Sequence, residues 1–171
     1  VKASYLFDDI YQWIDELILF AEKNTDLHFI FRSHPDEIRS DKKIYEKTSD
    51  YILQYSENNK NISIIDAENT TSSYELINIS DLVLTYNSTI GLESALMNKK
   101  TISAGYSHFL RLDYFKIFQN KEEYFNCIKK KLQEKEFDGF DLAYQTQSYF
   151  YQMIFESAID FSEILIPDNS N

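Results

Sequence analysis

Apolar residues recur along the chain with two spacings, one typical of amphipathic helices and the other typical of short buried strands. In residues 8–23 they fall at every third or fourth position, which places them on one side of a helix. In residues 82–86 they are nearly continuous, and a run this short favours a buried strand. The same two patterns predict further strands at residues 27–32, 62–65 and 101–104, and further helices at residues 41–56, 73–78, 90–97, 121–132 and 142–161.

The order of these elements determines the expected fold class. Strands alternate with helices, which favours an α/β fold in which a parallel sheet carries helices on both faces. With 171 residues the chain is expected to form one domain, residues 1–165, that includes an appended helix at residues 142–161. The polar tail, residues 166–171, is expected to fray.

The turn that follows the strand at residues 82–86 is the first candidate for a binding site. Asn87, Ser88 and Thr89 offer side chains that cap the next helix. The N–H groups at that helix start, together with the positive end of the helix dipole, suit an anion, most often a phosphate. An ordinary capped strand–helix unit has the same pattern, so the turn alone does not decide between the two interpretations.

Two residues of the following helix extend this hypothesis. Gly91 lacks a side chain, which lets a ligand or a neighbouring strand approach closely. Glu93 lies about one turn further on, at a height where its carboxylate can accept hydrogen bonds from a ribose.

Polar residues follow three predicted strands at the point where each strand ends. These residues are His34, Asp66 and the turn 87–89. Ligands of open parallel sheets bind beyond the carboxyl ends of the strands. The three loops are therefore expected to converge on one rim and to form a site there.

Composition limits the classes of function that remain. The net charge of −11 argues against a nucleic-acid partner, because no basic stripe outweighs the acidic residues. The single cysteine, Cys127, excludes an internal disulfide, is consistent with a reducing compartment, and is expected to be a buried structural thiol.

The longest apolar run, residues 17–21, is too short to span a bilayer. The chain begins in mid-pattern without a methionine, so we expect a fragment of a longer protein.

Three motifs together resemble bacterial glycosyltransferases of capsule and surface polysaccharide biosynthesis. They are Arg32-Ser-His-Pro-Asp-Glu37, Ser72-Ser-Tyr-Glu-Leu-Ile77 and Thr85-Tyr-Asn-Ser-Thr-Ile-Gly-Leu-Glu93. The resemblance covers most of residues 8–110. It implies a Rossmann-like domain, namely the C-terminal, nucleotide-sugar-binding half of a two-domain GT-B arrangement. The nucleotide-binding residues that it implies are Arg32, His34, Pro35, Asn87, Ser88, Thr89, Gly91 and Glu93.

The resemblance also implies the substrates. The donor is expected to be a CMP-activated acidic sugar, whose phosphate the His34-Pro35 pair and the Ser88-Thr89 pair hold without a metal or another cofactor. No residue of the chain is a persuasive catalytic base, so the catalytic residues stay unknown. The resemblance implies that the base, and the site for a glycan or glycolipid acceptor, come from an N-terminal half that this chain is expected to lack. The implied location is the cytoplasm, with peripheral attachment to the inner face of the membrane as a further expectation.

Three alternatives stay open at this stage. A nucleotide-sugar epimerase has a similar build, but such enzymes usually carry acidic and glycine-rich loops in place of the turn 87–89. Transferases of CDP-activated polyols share a His-Pro pair and a similar hydroxyl-rich turn. A non-catalytic module that binds a nucleotide or scaffolds an assembly belongs to a different class.

The last predicted helix, residues 142–161, has aromatic residues outside its main apolar stripe. Tyr144, Tyr149, Tyr151 and Phe155 cannot all share one face with Phe150. Burial on more than one side is therefore expected, either against the missing domain or through self-association of the chain.

Overall fold

The computed structural model describes residues 4, 6–38, 47–56, 59–112, 115–135, 137 and 139–156. The described residues form a mixed α/β structure. Its helices are α1 (Ile10–Lys23), α2 (Thr48–Ser56), α3 (Ser73–Ile79), α4 (Ile90–Leu96), α5 (Lys121–Gln133) and α6 (Phe140–Tyr151). Its strands are β1 (Phe29–Arg32), β2 (Ile62–Ile65), β3 (Val83–Thr85) and β4 (Thr101–Ser103). Short 3-10 helices follow β1 (Pro35–Ile38) and β4 (His108–Arg111), and a π-helical segment (Gln152–Glu156) continues α6.

The predicted alternation of strands and helices is confirmed, with small shifts at the element ends. The predicted helix at residues 41–56 is described only from Thr48 onward, because residues 41–46 lie outside the described residues. The final helix begins two residues earlier than predicted, at Phe140, and residues 157–161 of that prediction lie outside the described residues. The tail at residues 166–171 lies outside them as well.

Parallel pairing is confirmed, although the described strands form two pairs and not one continuous sheet. Strand β1 pairs with β2, with Phe29 opposite Ile62, and β3 pairs with β4, with Val83 opposite Thr101. Each strand bonds to one neighbour along one edge, and within the described residues no ladder joins β1 to β3. The strands are three or four residues long, so each pair is held mainly by the helices packed against it.

Helix α1 lies at the centre of the larger hydrophobic cluster. The Asp9 carboxylate caps α1 by accepting a hydrogen bond from the Gln12 amide at 2.8 Å. Full burial of one large aliphatic side chain stabilises the fold by about 1.5–3 kcal/mol. Both strand pairs and α5 share this cluster, which includes the α1 residues Trp13, Ile14, Leu17, Ile18 and Ala21.

The β3–β4 pair has helices on both faces, as the sequence predicts. One face contributes Leu84 and Ile102 to the α1 cluster. The other face meets α4 through small and hydroxylated residues: the Ser94 hydroxyl lies 2.8 Å from that of Thr101, and both side chains are buried. These small side chains let α4 approach the strands closely, and a second cluster beyond α4 includes residues of α6.

The β1–β2 pair is covered differently. Phe29 and Ile62 share a face that packs in the α1 cluster. The opposite face carries Ile30, which is exposed, and Ser63, whose hydroxyl lies 2.8 Å from Nε2 of the exposed His28. Ser63 is half-buried, and helices on this second face of the β1–β2 pair stay a prediction.

Candidate functional site

The first turns of α3 and α4 meet at a hydrogen-bonded carboxylate. A capping box starts α3: the Ser72 hydroxyl accepts from the Tyr74 amide at 3.2 Å, and the Glu75 carboxylate accepts from the Ser72 amide at 3.3 Å. This start places Tyr74 in the first turn, where its hydroxyl donates to Oε2 of Glu93 at 2.5 Å. The Thr89 hydroxyl lies 3.4 Å from Oε1 of the same carboxylate, a longer and weaker contact.

This contact has an electrostatic consequence. The hydrogen bond to Glu93, followed by the charge of its carboxylate, raises the pKa of Tyr74. The phenol therefore stays protonated and remains a donor over the physiological pH range. An ionised carboxylate has about four lone-pair sites, so Glu93 retains capacity for further donors, and its side chain is only half-buried. Sequence reasoning missed Tyr74 because its role depends on the contact between two helices.

His34 lies at the carboxyl end of β1 with its ring exposed. The Asp36 amide donates to Nδ1 at 3.1 Å, so the neutral ring carries its proton on Nε2. That Nε2–H group is a hydrogen-bond donor at the rim of the strand pair. Pro35 begins the short 3-10 helix and is exposed beside it.

Arg32 holds the loop after β2 together. Its guanidinium donates to the carbonyl oxygen of Asp66 and, at 3.2 Å, to that of Asn69. The Asp66 carboxylate closes the same loop by accepting from the Asn69 amide at 2.8 Å. These contacts give Arg32 and Asp66 a structural role, and the nucleotide contact predicted for Arg32 stays a prediction.

The start of α4 differs from the predicted capping arrangement. Thr89 has a helical backbone conformation and makes no side-chain cap, so its carbonyl oxygen closes the first turn by accepting from the Leu92 amide at 2.9 Å. The Gly91 amide donates to the Ser88 carbonyl at 3.1 Å, and the Ser88 hydroxyl lies 3.4 Å from the Ile90 amide. The amides of Ile90, Gly91 and Leu92 therefore already have acceptors within the chain, and the anion site expected at this helix start stays a prediction. The hydroxyls of Ser88 and Thr89 remain as candidate donors, and Asn87 is exposed beside them.

Gly91 faces the interior of the protein. A β-carbon at this position would lie 2.9 Å from the Thr85 hydroxyl and 3.1 Å from the Phe109 ring. The sequence predicts that a ligand or a neighbouring strand approaches this glycine closely, and the structure shows the approach of strand β3 through Thr85.

Tyr86 fixes the position of the turn that follows it. Its ring is buried and lies 5.6 Å from that of Trp13 on α1. Burial, followed by the charges of Asp9 and Asp8, raises the pKa of Tyr86. Its hydroxyl is one of the buried polar groups that have no hydrogen-bond partner among the described residues.

The predicted site residues therefore fall into two groups. Thr89 and Glu93 lie together with Tyr74 on one side, whereas Arg32 and His34 lie at the end of β1. Within the described ranges, no hydrogen bond joins the second group to residues 87–93. A cavity of about 280 Å³ lies between α2 and the loop after β2, and it is lined in part by Ser49, Asp66 and Glu68.

Three further properties of the described residues concern metal binding, thiol reactivity and membrane spanning. Across the described residues, no group of three or more His, Cys, Asp or Glu side chains has an arrangement that could hold a metal ion. Cys127 is half-buried and not fully buried as expected. Its partial burial raises the pKa of the thiol, which disfavours the reactive thiolate. None of the described helices combines the length and the apolar character needed to cross a membrane.

Comparison with known proteins identifies the family. No curated protein and no solved structure gives a significant match to the chain. The family model described as capsule polysaccharide biosynthesis protein matches residues 7–111, which is more than half of the chain. The matched segment runs from the start of α1 to the 3-10 helix after β4 and contains all the predicted site residues. The chain therefore belongs to the capsule polysaccharide biosynthesis protein family.

Proposed function

We propose that this chain is the donor-binding domain of a glycosyltransferase that builds capsular polysaccharide, with a CMP-activated acidic sugar as its donor. The observation that carries the proposal is the Glu93 carboxylate at the junction of α3 and α4. It accepts a hydrogen bond from Tyr74 and is only half-buried. The family match supports a role in capsule synthesis. The donor and the transferase chemistry belong to the proposal.

In this proposal the ribose hydroxyls donate to the Glu93 carboxylate. Hydrogen bonds to a charged acceptor are about twice as strong as neutral ones, which favours a ribonucleotide over its 2′-deoxy counterpart. Tyr74 contributes by fixing the carboxylate before the ligand arrives, so less side-chain freedom is lost on binding.

The phosphate would be bound by side chains rather than by a metal ion. His34 offers its Nε2–H group, and Ser88 and Thr89 offer hydroxyls. His34 follows the carboxyl end of β1, and the second set of donors, Ser88 and Thr89, follows that of β3. Ligands of α/β proteins bind at such strand ends. A nucleotide that spans both sets would bring together the two groups of predicted residues.

The proposed fold is one Rossmann-like half of a GT-B enzyme. Parallel pairing and the helices on both faces of β3–β4 support it. The other half would supply the acceptor site and the catalytic base, and the enzyme would act at the inner face of the membrane, where a glycolipid acceptor is available.

Calorimetric titration of the chain with CMP, CDP and UDP, and with 2′-deoxy-CMP, tests the proposal. We expect CMP to bind more tightly than the other three ligands. Glu93→Gln is expected to lower the affinity for CMP towards that of 2′-deoxy-CMP, because the substitution removes the charged acceptor. Glu122→Gln, an exposed carboxylate on α5, is the matched control and leaves binding unchanged.

The outcomes separate the alternatives. Preference for CDP over CMP favours a polyol-phosphate transferase, and preference for UDP favours an epimerase. Absence of binding by all four nucleotides contradicts a donor site. Equal losses for CMP and 2′-deoxy-CMP in Glu93→Gln would show that this residue acts on the structure of the domain and not on the ribose.

A further inference from the structure

Helix α6 has one face that packs on its own domain. Leu142 and Thr146 are buried, and Phe150 packs with them against the cluster beyond α4. The Tyr149 hydroxyl donates to the carbonyl oxygen of His108 at 3.2 Å, and the two rings stack at 6.0 Å. These contacts determine the orientation of α6 and therefore which side chains it directs outward.

The opposite face of α6 carries aromatic side chains that remain exposed. Tyr144, Tyr151 and Phe155 have exposed fractions of 65%, 57% and 69%. Their spacing of seven and four residues places them on one side of the helix. The rings of Tyr151 and Phe155 lie 5.1 Å apart, so this side continues into the π-helical segment. We call these three residues, together with Ile154, the aromatic stripe.

The area of the stripe is close to what a specific dimer needs. A Phe or Tyr side chain buries about 150–250 Å². With more than half of each ring exposed, the stripe offers on the order of 400 Å² per copy, and two copies would bury on the order of 800 Å². Flanking side chains add to this total, which then approaches the roughly 1,000 Å² expected of a specific interface.

The distribution of charge favours a second copy of the chain as the occupant. Residues 140–155 carry a single charged side chain, Asp141, in a chain whose net charge is −11. Two copies that meet through this segment avoid the like-charge contacts that most of the remaining surface would impose. A membrane surface fits poorly, because interfacial helices carry Lys and Arg on their polar face and residues 140–156 contain neither.

We propose that a second copy of the chain covers the aromatic stripe, in a two-fold contact between α6 helices. In such a contact the same patch is used by both copies, so an apolar stripe with polar flanks is self-complementary. The proposal concerns assembly and does not depend on which nucleotide the domain binds.

Sedimentation velocity of the 171-residue chain over a concentration series tests this proposal. We expect a concentration-dependent monomer–dimer equilibrium. The double variant Tyr151→Gln/Phe155→Gln is expected to weaken dimerisation at least tenfold. Its secondary structure, measured by circular dichroism, should not change, because both side chains are exposed.

Ile79→Gln is the matched control, because Ile79 is a large apolar residue that is 72% exposed and lies on α3, which does not belong to the stripe. It should leave the equilibrium unchanged. A chain that is monomeric at all concentrations overturns the proposal, and in that case another segment or partner covers the stripe. Equal weakening by the control and by the double variant also overturns it, because that result indicates non-specific association.

Discussion

The hydroxyl of Tyr74 lies 2.5 Å from Oε2 of Glu93, and this contact joins the first turns of α3 and α4. The two residues belong to separate motifs, 19 positions apart in the chain. Their contact orients the carboxylate in the absence of a ligand. It also provides a spectroscopic test that is independent of nucleotide binding.

Glu93→Gln is expected to lower the pKa of Tyr74 towards its ordinary value of 10.0, because the neutral amide weakens the hydrogen bond from the phenol and removes the charge that favours its protonated form. The stabilising effect of this raised pKa is present below pH 10 and is lost as the pH rises through the pKa of the folded state. NMR titration of ring-labelled tyrosine measures the shift. Thr89→Val removes only the weaker contact and should leave the pKa of Tyr74 raised.

Local sequence signals predicted some of these features and not others. Ser72 followed by Glu75 is a capping-box pattern, and the structure contains the box. Ser88 and Thr89 are hydroxyl residues that favour helix caps, as Ser72 does. Thr89 nevertheless adopts a helical backbone conformation, and its side chain makes no cap hydrogen bond. Residue type gives a cap propensity, whereas the backbone conformation that decides the cap is set by the packing of α4 on the strands.

Tertiary contacts explain the other differences. Gly91 is compatible with a ligand or with a strand as its neighbour; the structure shows the strand residue Thr85 beside it, and the ligand contact stays a prediction. The apolar residues of β1 predict burial on both faces, yet Ile30 is exposed because the described helices α1 and α2 pack on the other face. Parallel pairing was predictable from the alternation of elements, but the division into two pairs was not.

His34→Ala is expected to weaken CMP binding by about 1–3 kcal/mol, the range for removing a hydrogen-bond partner of a charged group. Stability should change little, because the ring is exposed at the strand end. His28→Ala is the control and should bind CMP normally: this histidine is also exposed and lies directly before β1. Equal affinities of His34→Ala and the wild type in calorimetry would remove this residue from the proposed phosphate site.

Arg32→Ala is expected to lower the free energy of unfolding by about 1–3 kcal/mol, because the loop after β2 loses charge-assisted hydrogen bonds to its carbonyl oxygens. Arg32→Lys should fall between the wild type and Ala, since an ammonium group keeps the charge but not the planar fork. Urea unfolding measures both variants. A wild-type midpoint for Arg32→Ala would contradict the structural role and favour a role in ligand binding alone.

Gly91→Val is expected to lower the free energy of unfolding by about 1–3 kcal/mol, because its β-carbon would crowd the Thr85 hydroxyl and the Phe109 ring. In a Thr85→Ala background the same substitution should cost less, since one of the two clashes is gone. A double-mutant cycle by urea unfolding measures this coupling. Additive effects would show that Thr85 is not the neighbour that excludes a side chain at this position.

Two buried threonines on adjacent strands should respond in opposite ways to the same substitution. The Thr101 hydroxyl contacts that of Ser94 at 2.8 Å and donates to the Lys99 carbonyl at 3.1 Å. The Thr85 hydroxyl is equally buried but has no hydrogen-bond partner among the described residues. Thr101→Val should therefore lower the free energy of unfolding by about 1–3 kcal/mol, because it also leaves Ser94 with one partner fewer.

Thr85→Val should leave the stability unchanged or raise it by about 1 kcal/mol, because a methyl group replaces a buried hydroxyl that is unsatisfied in the described structure. In both substitutions the valine side chain has nearly the same shape as the threonine side chain that it replaces. The difference between the two urea midpoints therefore reports hydrogen bonding and not volume. If Thr85→Val destabilises the protein as much as Thr101→Val does, the Thr85 hydroxyl has a partner in solution. If its stability is unchanged while CMP binding is lost, the hydroxyl serves the ligand, and the site extends from Glu93 into the junction between β3 and α4.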